Sequence, residues 1–241
     1  MALHFLVDDA LIAGSGDVVT LTGTEAHHAA VVRRVRVGET VTVGDGRGAW
    51  LDGTIEAASP KQVIVRIDAR REVAQPAQRV VLVQALAKGD RDELAVQAAT
   101  ELGVDEIVPW QAARSVSRWD AAKTVKGVAR WTAIVREASK QAHRAWVPDV
   151  SAPVTTAQLA TRAAQLLVLE PTAETPLSQV PIDASGDVVL IVGPEGGIAP
   201  EELATLTQAG ATTVRLGETV LRTSTAGPAA LSVVSARLGR W

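Results

Sequence analysis

Five consecutive aliphatic residues, Val188-Val189-Leu190-Ile191-Val192, end abruptly at Gly193-Pro194-Glu195-Gly196-Gly197, and this junction limits the possible folds more than any other stretch. A strand with one wet face alternates apolar and polar residues. An unbroken apolar run bounded by Gly and Pro instead predicts a strand buried on both faces, as in a parallel sheet. A second run, Thr213-Val214-Arg215-Leu216, stops in the same way at Gly217 and continues as Glu218-Thr219-Val220-Leu221-Arg222-Thr223-Ser224-Thr225-Ala226-Gly227. In open α/β sheets, ligands bind just past the carboxyl ends of the strands. Three glycines and a proline in five residues leave room for a ligand to touch the backbone itself. The 193–197 stretch thus reads as a binding loop or as a tight strand-to-helix turn.

From Arg79 onward strand-like and helix-like segments alternate, which predicts a mainly parallel α/β sheet. The expected strands are 79–86, 104–110, 165–170, the Val188 run and the Val214 run. Asp90 with Glu93 resembles a capping box opening a helix whose Leu94, Ala98 and Leu102 share a face until Gly103. A long helix is expected from about Asp120 to Ala142, burying Val128, Trp131, Val135, Ala138 and Ala142, with Arg136, Lys140 and Arg144 four apart on another face. Pro200-Glu201-Glu202 opens a further helix, and a last one closes the chain near Leu238.

Residues 1–73 follow a different rule. Short β-like runs at 18–21, 39–43, 50–55 and 62–67 are separated by turns, with Gly44-Asp45-Gly46-Arg47-Gly48 as a hairpin. Closely spaced short strands suggest a small β-barrel. Residues 73–78 make a linker, so the expected domains are 1–73 and 79–241.

The net charge of −3 hides a local excess. Between Arg114 and Arg144 eight basic residues face only Asp120 and Glu137, a net +6 in 31 residues. Salt screens distant charges beyond about 8 Å, so a local positive field survives the acidic total. This segment is either a phosphate-binding surface or a solvated helix face. With no cysteine the chain has neither disulfides nor thiolate metal ligands. The apolar N-terminal run is broken by Asp8 and Asp9, too early for a signal peptide, and no membrane-length apolar run occurs elsewhere, so a cytoplasmic protein is expected.

Several familiar sites are missing. No G-x-G-x-x-G follows the first strand of the α/β region, and no glycine-rich loop ends in Lys-Ser/Thr. His27-His28 lacks ligand partners at metal spacing, so no metal is expected. Ser15 between Gly14 and Gly16 reads as a turn, not a nucleophile elbow.

The two glycine loops, Gly193–Gly197 followed by Glu201 and Leu216-Gly217 followed by Val220-Leu221-Arg222-Thr223, resemble the paired signatures of the SPOUT methyltransferases. More narrowly, the chain is similar to the bacterial family that methylates N3 of a uridine in 16S ribosomal RNA. His28 with Val32, Arg34, Gly38 and Asp45-Gly46 resembles that family's N-terminal PUA- or OB-like barrel. Lys88-Gly89-Asp90-Arg91, Thr100–Val104, Arg114-Ser115-Val116, and Glu137-Ala138 with Gln141, Arg144 and Pro148 match its central motifs, and Leu169-Glu170-Pro171 its first cofactor loop. The chain departs from the pattern where Ser224 replaces a usual Glu, Ala98 a usual Lys and Lys140 a usual acid.

The resemblance implies a C-terminal domain tied in a deep trefoil knot, which ordinary topology rules argue against. It implies S-adenosylmethionine held by Leu169, Glu170 and Pro171, by Val192 through Gly197, and by Leu216, Gly217, Val220, Leu221 and Thr223. RNA would meet His28, Arg34, Lys88, Arg114, Arg136, Lys140, Gln141 and Arg144. The partner would be 16S rRNA within the small ribosomal subunit, and the protein a homodimer completing each site across its interface. Other readings are a related knot enzyme acting on a ribose 2′-oxygen or on tRNA, and a non-catalytic ribosome-assembly factor. Arg222 is the candidate to offset charge on the uracil as N3 loses its proton, unless it merely pairs with Glu195 or Glu218. No general base stands out; Glu195, Glu201 and His143 are conceivable, although Glu201 in a first helical turn also reads as dipole compensation.

Overall fold

The structure, a computed structural model, describes residues 2–8 and 11–241. Met1, Asp9 and Ala10 lie outside the described residues, Asp9 being one of the pair expected to end the N-terminal apolar run. The chain packs into two compact units, Met1–Gln75 with Ser139–Val147, and Pro76–Ala138 with Pro148–Trp241.

The first unit holds β1 (Leu3–Leu6), β2 (Val18–Thr22), α1 (Gly23–His27), a π-turn at His28–Val32, β3 (Thr40–Gly44), β4 (Ala49–Ser59) and β5 (Gln62–Glu72). Its sheet runs β1-β3-β4-β5-β2, with β1 parallel to β3 and the other pairs antiparallel. β2 alternates exposed and buried residues, as a half-wet strand should. Register shifts at Asp52/Gly53 and Ile55/Ala57 interrupt the β4–β5 ladder, the kind of irregularity that bends a sheet around its own core. That core includes Phe5, Leu21, Val43, Leu51, Ile55 and Val65.

The hairpin turn does more than reverse the chain. Asp45 Oδ1 accepts from the Arg47 and Ala49 N–H groups at 2.8 and 3.2 Å. Gly46 and Gly48, with φ of +69° and +108°, let Val147 and the Trp146 ring come closer than any side chain at those positions would permit. The Trp146 indole also donates to Val73 O at 2.7 Å. Residues 139–147 therefore pack with the first unit, whereas an undivided second domain from residue 79 was expected. Sequence periodicity cannot see such a return, because it is made by contacts distant in the chain.

The second unit holds β6 (Val80–Ala85), α2 (Arg91–Glu101), β7 (Glu106–Trp110), α3 (Ala121–Gln141), β8 (Asp149–Val150), α4 (Thr156–Ala160), β9 (Gln165–Leu169), a 3-10 turn at Leu177–Gln179, β10 (Val188–Val192), α5 (Pro200–Gln208), β11 (Thr212–Val214) and α6 (Thr223–Arg237), the end of α3 passing into the first unit. Its six strands run β11-β9-β10-β6-β7-β8, all parallel. β10, the unbroken apolar run, lies between β9 and β6 with all five residues buried. Each such side chain contributes about 1.5–3 kcal/mol on burial. Gly227 lets α6 rest directly on the sheet, since a Cβ there would stand 2.9 Å from Leu82.

Three expectations about helices need correction. α2 buries Asp92, Ala95, Val96, Ala99 and Thr100, while Leu94 is 51 % exposed. Packing against the sheet and α6 favours the small-residue face, a preference that large apolar residues on the other side do not reveal. The Asp90–Glu93 capping box does not form: Asp92 accepts from Ala87 N and Glu93 N, and Glu93 binds Arg130. α3 buries Trp131, Val135 and Ala138 but ends at Gln141, and His143 follows with φ +53°. Arg144 consequently does not continue a helical row with Arg136 and Lys140.

Candidate active site

Strand order places the carboxyl ends of β11, β9 and β10 side by side, and the loops that leave them surround a cavity of about 480 Å³. Leu169, Glu170 and Pro171 line it from the first loop; Val192, Gly193, Pro194, Glu195 and Gly197 from the second; Leu216, Gly217, Val220, Leu221, Arg222 and Thr223 from the third. Gly196 does not line it: a Cβ there would face Arg114 at 3.4 Å. Arg91, Ile198, Val214, Arg215, Thr219 and Ala226 also line it and were not singled out as site residues from sequence. Arg91, Val214, Arg215, Thr219 and Ala226 lie inside the sequence stretches that point to the site; Ile198, just past the second loop, is visible only once the loops converge.

Each loop is held by a specific contact. The Thr223 hydroxyl donates to Gly193 O and accepts from Gln84 Nε2, both at 2.9 Å, tying the start of α6 to the second loop and to β6. Arg215 donates to the carbonyls of Ala173 and Glu174, fixing the first loop to the third. Glu195 Oε1 accepts from Lys88 N at 3.0 Å and Arg91 Nη1 at 2.9 Å. The glycines have different reasons. Gly197 has φ +71°, and a Cβ on Gly193 would stand 2.7 Å from Ile198. Gly217 needs neither turn nor packing, for nothing lies within 4 Å of where its Cβ would be. Open space beside a backbone without strain is what a ligand-facing position requires.

The charges at the cavity are sharply sorted. Burial pushes the Glu195 carboxyl upward, but bonds from its own backbone, from Lys88 N–H and from Arg91 outweigh this and hold it below the usual carboxylate range. An acid held ionised this way is a poor proton acceptor. Glu170 accepts from the Thr172 hydroxyl at 2.9 Å. Glu201 does not line the cavity, and His143 belongs to the other unit. Arg222 stands at the N-cap of α6 with an exposed side chain. Among the described residues it has no carboxylate within 4.0 Å, since Glu195 is engaged by Arg91 and Glu218 faces Arg215 at 3.8 Å. The structural pairing considered for Arg222 is absent, and its guanidinium is available to a ligand.

The sequence matches two families, an RNA methyltransferase domain over residues 74–235 and an RNA methyltransferase PUA domain over residues 21–68. The ribosomal RNA small subunit methyltransferase E of Mycobacterium bovis is 43% identical, covering 100% of this chain and 94% of its own. The Bacillus subtilis protein of the same name is 32% identical over 90% of this chain and 89% of its own. The chain belongs to the ribosomal RNA small subunit methyltransferase E family. A Neisseria gonorrhoeae member solved with S-adenosyl methionine superposes with a TM-score of 0.86 at 26% identity, over 98% of both chains. A Legionella pneumophila methyltransferase solved with the same cofactor gives 0.83 at 31% identity, again over 98% of both.

In this family member the residues expected to meet RNA are spread over both units. Arg34 is exposed with φ +55°, just after the π-turn that carries half-buried His28. Lys140 is not on an open basic face: its ammonium meets Glu25 at 2.9 Å with the side chain 11% exposed. Arg136 and Arg144 are half-buried and Gln141 is exposed. Lys88 and Arg114 both reach the second cavity loop, Lys88 through its N–H to Glu195 and Arg114 through Nη1 to Gly196 O at 3.2 Å. Arg130, in the same basic segment, pairs with Glu93 at 2.8 Å. Ser224 is half-buried in the first turn of α6, so no carboxylate stands where the family pattern usually has one.

Proposed function

We propose that this protein transfers a methyl group from S-adenosylmethionine to N3 of a uridine in 16S ribosomal RNA, acting in the cytoplasm on RNA of the small subunit. The observation that carries the reading is the cavity where three backbone-rich loops converge beside Arg222, which among the described residues has no carboxylate within 4.0 Å. Its volume lies within the ~300–1,000 Å³ usual for cofactor sites. The open position beside Gly217 and the exposed backbone of the second loop fit a cofactor held mainly by main-chain groups. Solved relatives carry that cofactor.

When bound, S-adenosylmethionine supplies the methyl carbon. The chain's own residues position, hold charge and exclude competing partners. Leu169, Pro171, Val192 and Leu221 supply apolar walls, and Thr223 keeps the second and third loops in register. The Arg222 guanidinium offsets the negative charge that grows on the uracil as its N3 proton leaves. With its carboxylate held by Arg91 and the Lys88 N–H, Glu195 is a weak acceptor for the N3 proton. We infer further that the second unit is knotted and that the protein is a homodimer. Val220, lining the cavity yet 77% exposed, is a position where a second copy would close the site. Mass mapping of 16S RNA from cells lacking the gene tests the activity: one uridine should lose one methyl group and regain it on complementation. An unchanged methylation map refutes it.

A further inference from the structure

Beyond the cofactor cavity the second unit contains a concavity of about 460 Å³, lined by residues 116–119 with Lys123, Lys126 and Gly127. Its cations are Arg118, Lys123 and Lys126; Asp120 accepts from the Lys123 N–H at 2.8 Å and lies 3.9 Å from its ammonium. Lys126 has no carboxylate within 4.0 Å among the described residues. Trp119 is held by more than its own packing. Its backbone N–H donates to Gln111 Oε1 at 2.9 Å, its ring meets Trp131 edge-on at 5.4 Å, and the ring covers Gly127 so closely that a Cβ there would stand 2.5 Å away. A fixed, partly exposed indole ringed by cations offers the two features that grip single-stranded nucleic acid, a stacking surface and phosphate-binding charge. A helix face that is merely solvated needs neither the concavity nor the anchored ring.

Its position supports that use. The loop carrying Trp119 leaves β7 at the same edge of the parallel sheet as the three cavity loops, and β7 is two strands from β10, about 10 Å at ordinary strand spacing. The loop is also tied to the segment that follows β10: Arg114 donates to Gly196 O at 3.2 Å and Ala113 N to Glu202 Oε1 at 2.9 Å, while Arg118 braces the loop internally on Ala113 O at 2.7 Å. We propose that this concavity is a second RNA contact, where a base flanking the target uridine stacks on Trp119 and adjacent phosphates meet Lys123 and Lys126. The inference rests on the RNA methyltransferase reading and adds a substrate subsite to it.

Fluorescence anisotropy with a fluorescein-labelled oligouridylate 12-mer, run as a salt series, tests the proposal, with calorimetry of S-adenosylmethionine as the parallel measurement. Lys123→Ala/Lys126→Ala should bind the RNA about tenfold more weakly at low salt and flatten the slope of log affinity against log salt by about 1.4, or 0.7 per lost phosphate contact. Trp119→Leu should lose about fivefold or more and Trp119→Phe should recover most of it, since any aromatic ring stacks. Cofactor affinity should not move in any of them. Wild-type RNA affinity and slope in the double variant would overturn the proposal, as would equal weakening by Phe and Leu, which marks a structural role. If poly-L-glutamate, not RNA, is what the variants lose, the partner is an acidic protein and the proposal is wrong. If the wild type itself binds cofactor but no RNA, the RNA-modifying reading fails with it; if only the variants match the wild type, this subsite alone fails.

Discussion

Lowering the pH should destabilise the first unit through one side chain, His4. The ring is 5% exposed, stacked on Trp50 at 4.4 Å and 5.6 Å from His143. Thr42 donates its hydroxyl to Leu3 O, so its oxygen accepts from His4 Nδ1–H at 2.8 Å. This fixes the neutral tautomer by network, leaving Nε2 as the atom that must take a proton. Nε2 is buried without a hydrogen-bond partner. Burial first, then the charges of His143 and Lys140, lower the His4 pKa from 6.5 to about 4. A depressed histidine pKa means that the unfolded chain binds the proton first. Stability is therefore full above pH 6.5, falls as the pH drops toward 4, and is level below that. A gap of about 2.5 units corresponds to about 3 kcal/mol, and stacking of an imidazolium on Trp50 would return about 0.5–1 kcal/mol of it, leaving roughly 2–3 kcal/mol. Urea melts of the barrel tryptophans between pH 7.5 and 4 should show that loss, and His4→Gln should be less stable at pH 7 but flatter across the range. NMR titration of the four histidine rings should find one that resists protonation down to about pH 4. A His4 ring titrating near 6.5, or a variant with the wild-type pH profile, would refute the reasoning.

Three further outcomes test the cavity. Gly217→Val should weaken S-adenosylmethionine by about tenfold or more in calorimetry, or 1.4 kcal/mol, with an unchanged melting temperature; Gly197 is a poorer probe because its φ of +71° would strain any replacement. Unchanged cofactor affinity in folded Gly217→Val would remove the cofactor from this cavity. Arg222→Ala should lower single-turnover methylation about 10²–10³-fold while leaving cofactor and RNA affinities near wild type, with partial rescue as rising pH deprotonates uracil in solution. A lower melting temperature with a wild-type chemical rate would make Arg222 structural. Thr223→Val should cost about 1–3 kcal/mol, because Gly193 O and Gln84 Nε2 lose their shared partner, and Thr223→Ser should restore most of it in thermal melts.

The Val188–Val192 run could be only a strand covered on both faces, so the amino-acid order alone carried the parallel sheet and the placing of loops at its carboxyl edge. Most strand and helix positions followed from similarly local signals, such as the alternation in β2 and the Pro200 start of α5. Local pattern could not say which face of α2 is inside, because Ala95, Val96 and Ala99 are chosen by what packs on them and Leu94 is left in water. Nor could it return residues 139–147 to the first unit, a contact made by two glycines about a hundred positions earlier. At the site, the glycines and Arg222 were visible in sequence, but the electrostatics were not. Whether Glu195 is a base or a locked carboxylate, and whether Lys140 meets RNA or Glu25, depends on groups brought within 3 Å from over a hundred residues away. Charge falls off with distance in space, and sequence records only distance along the chain.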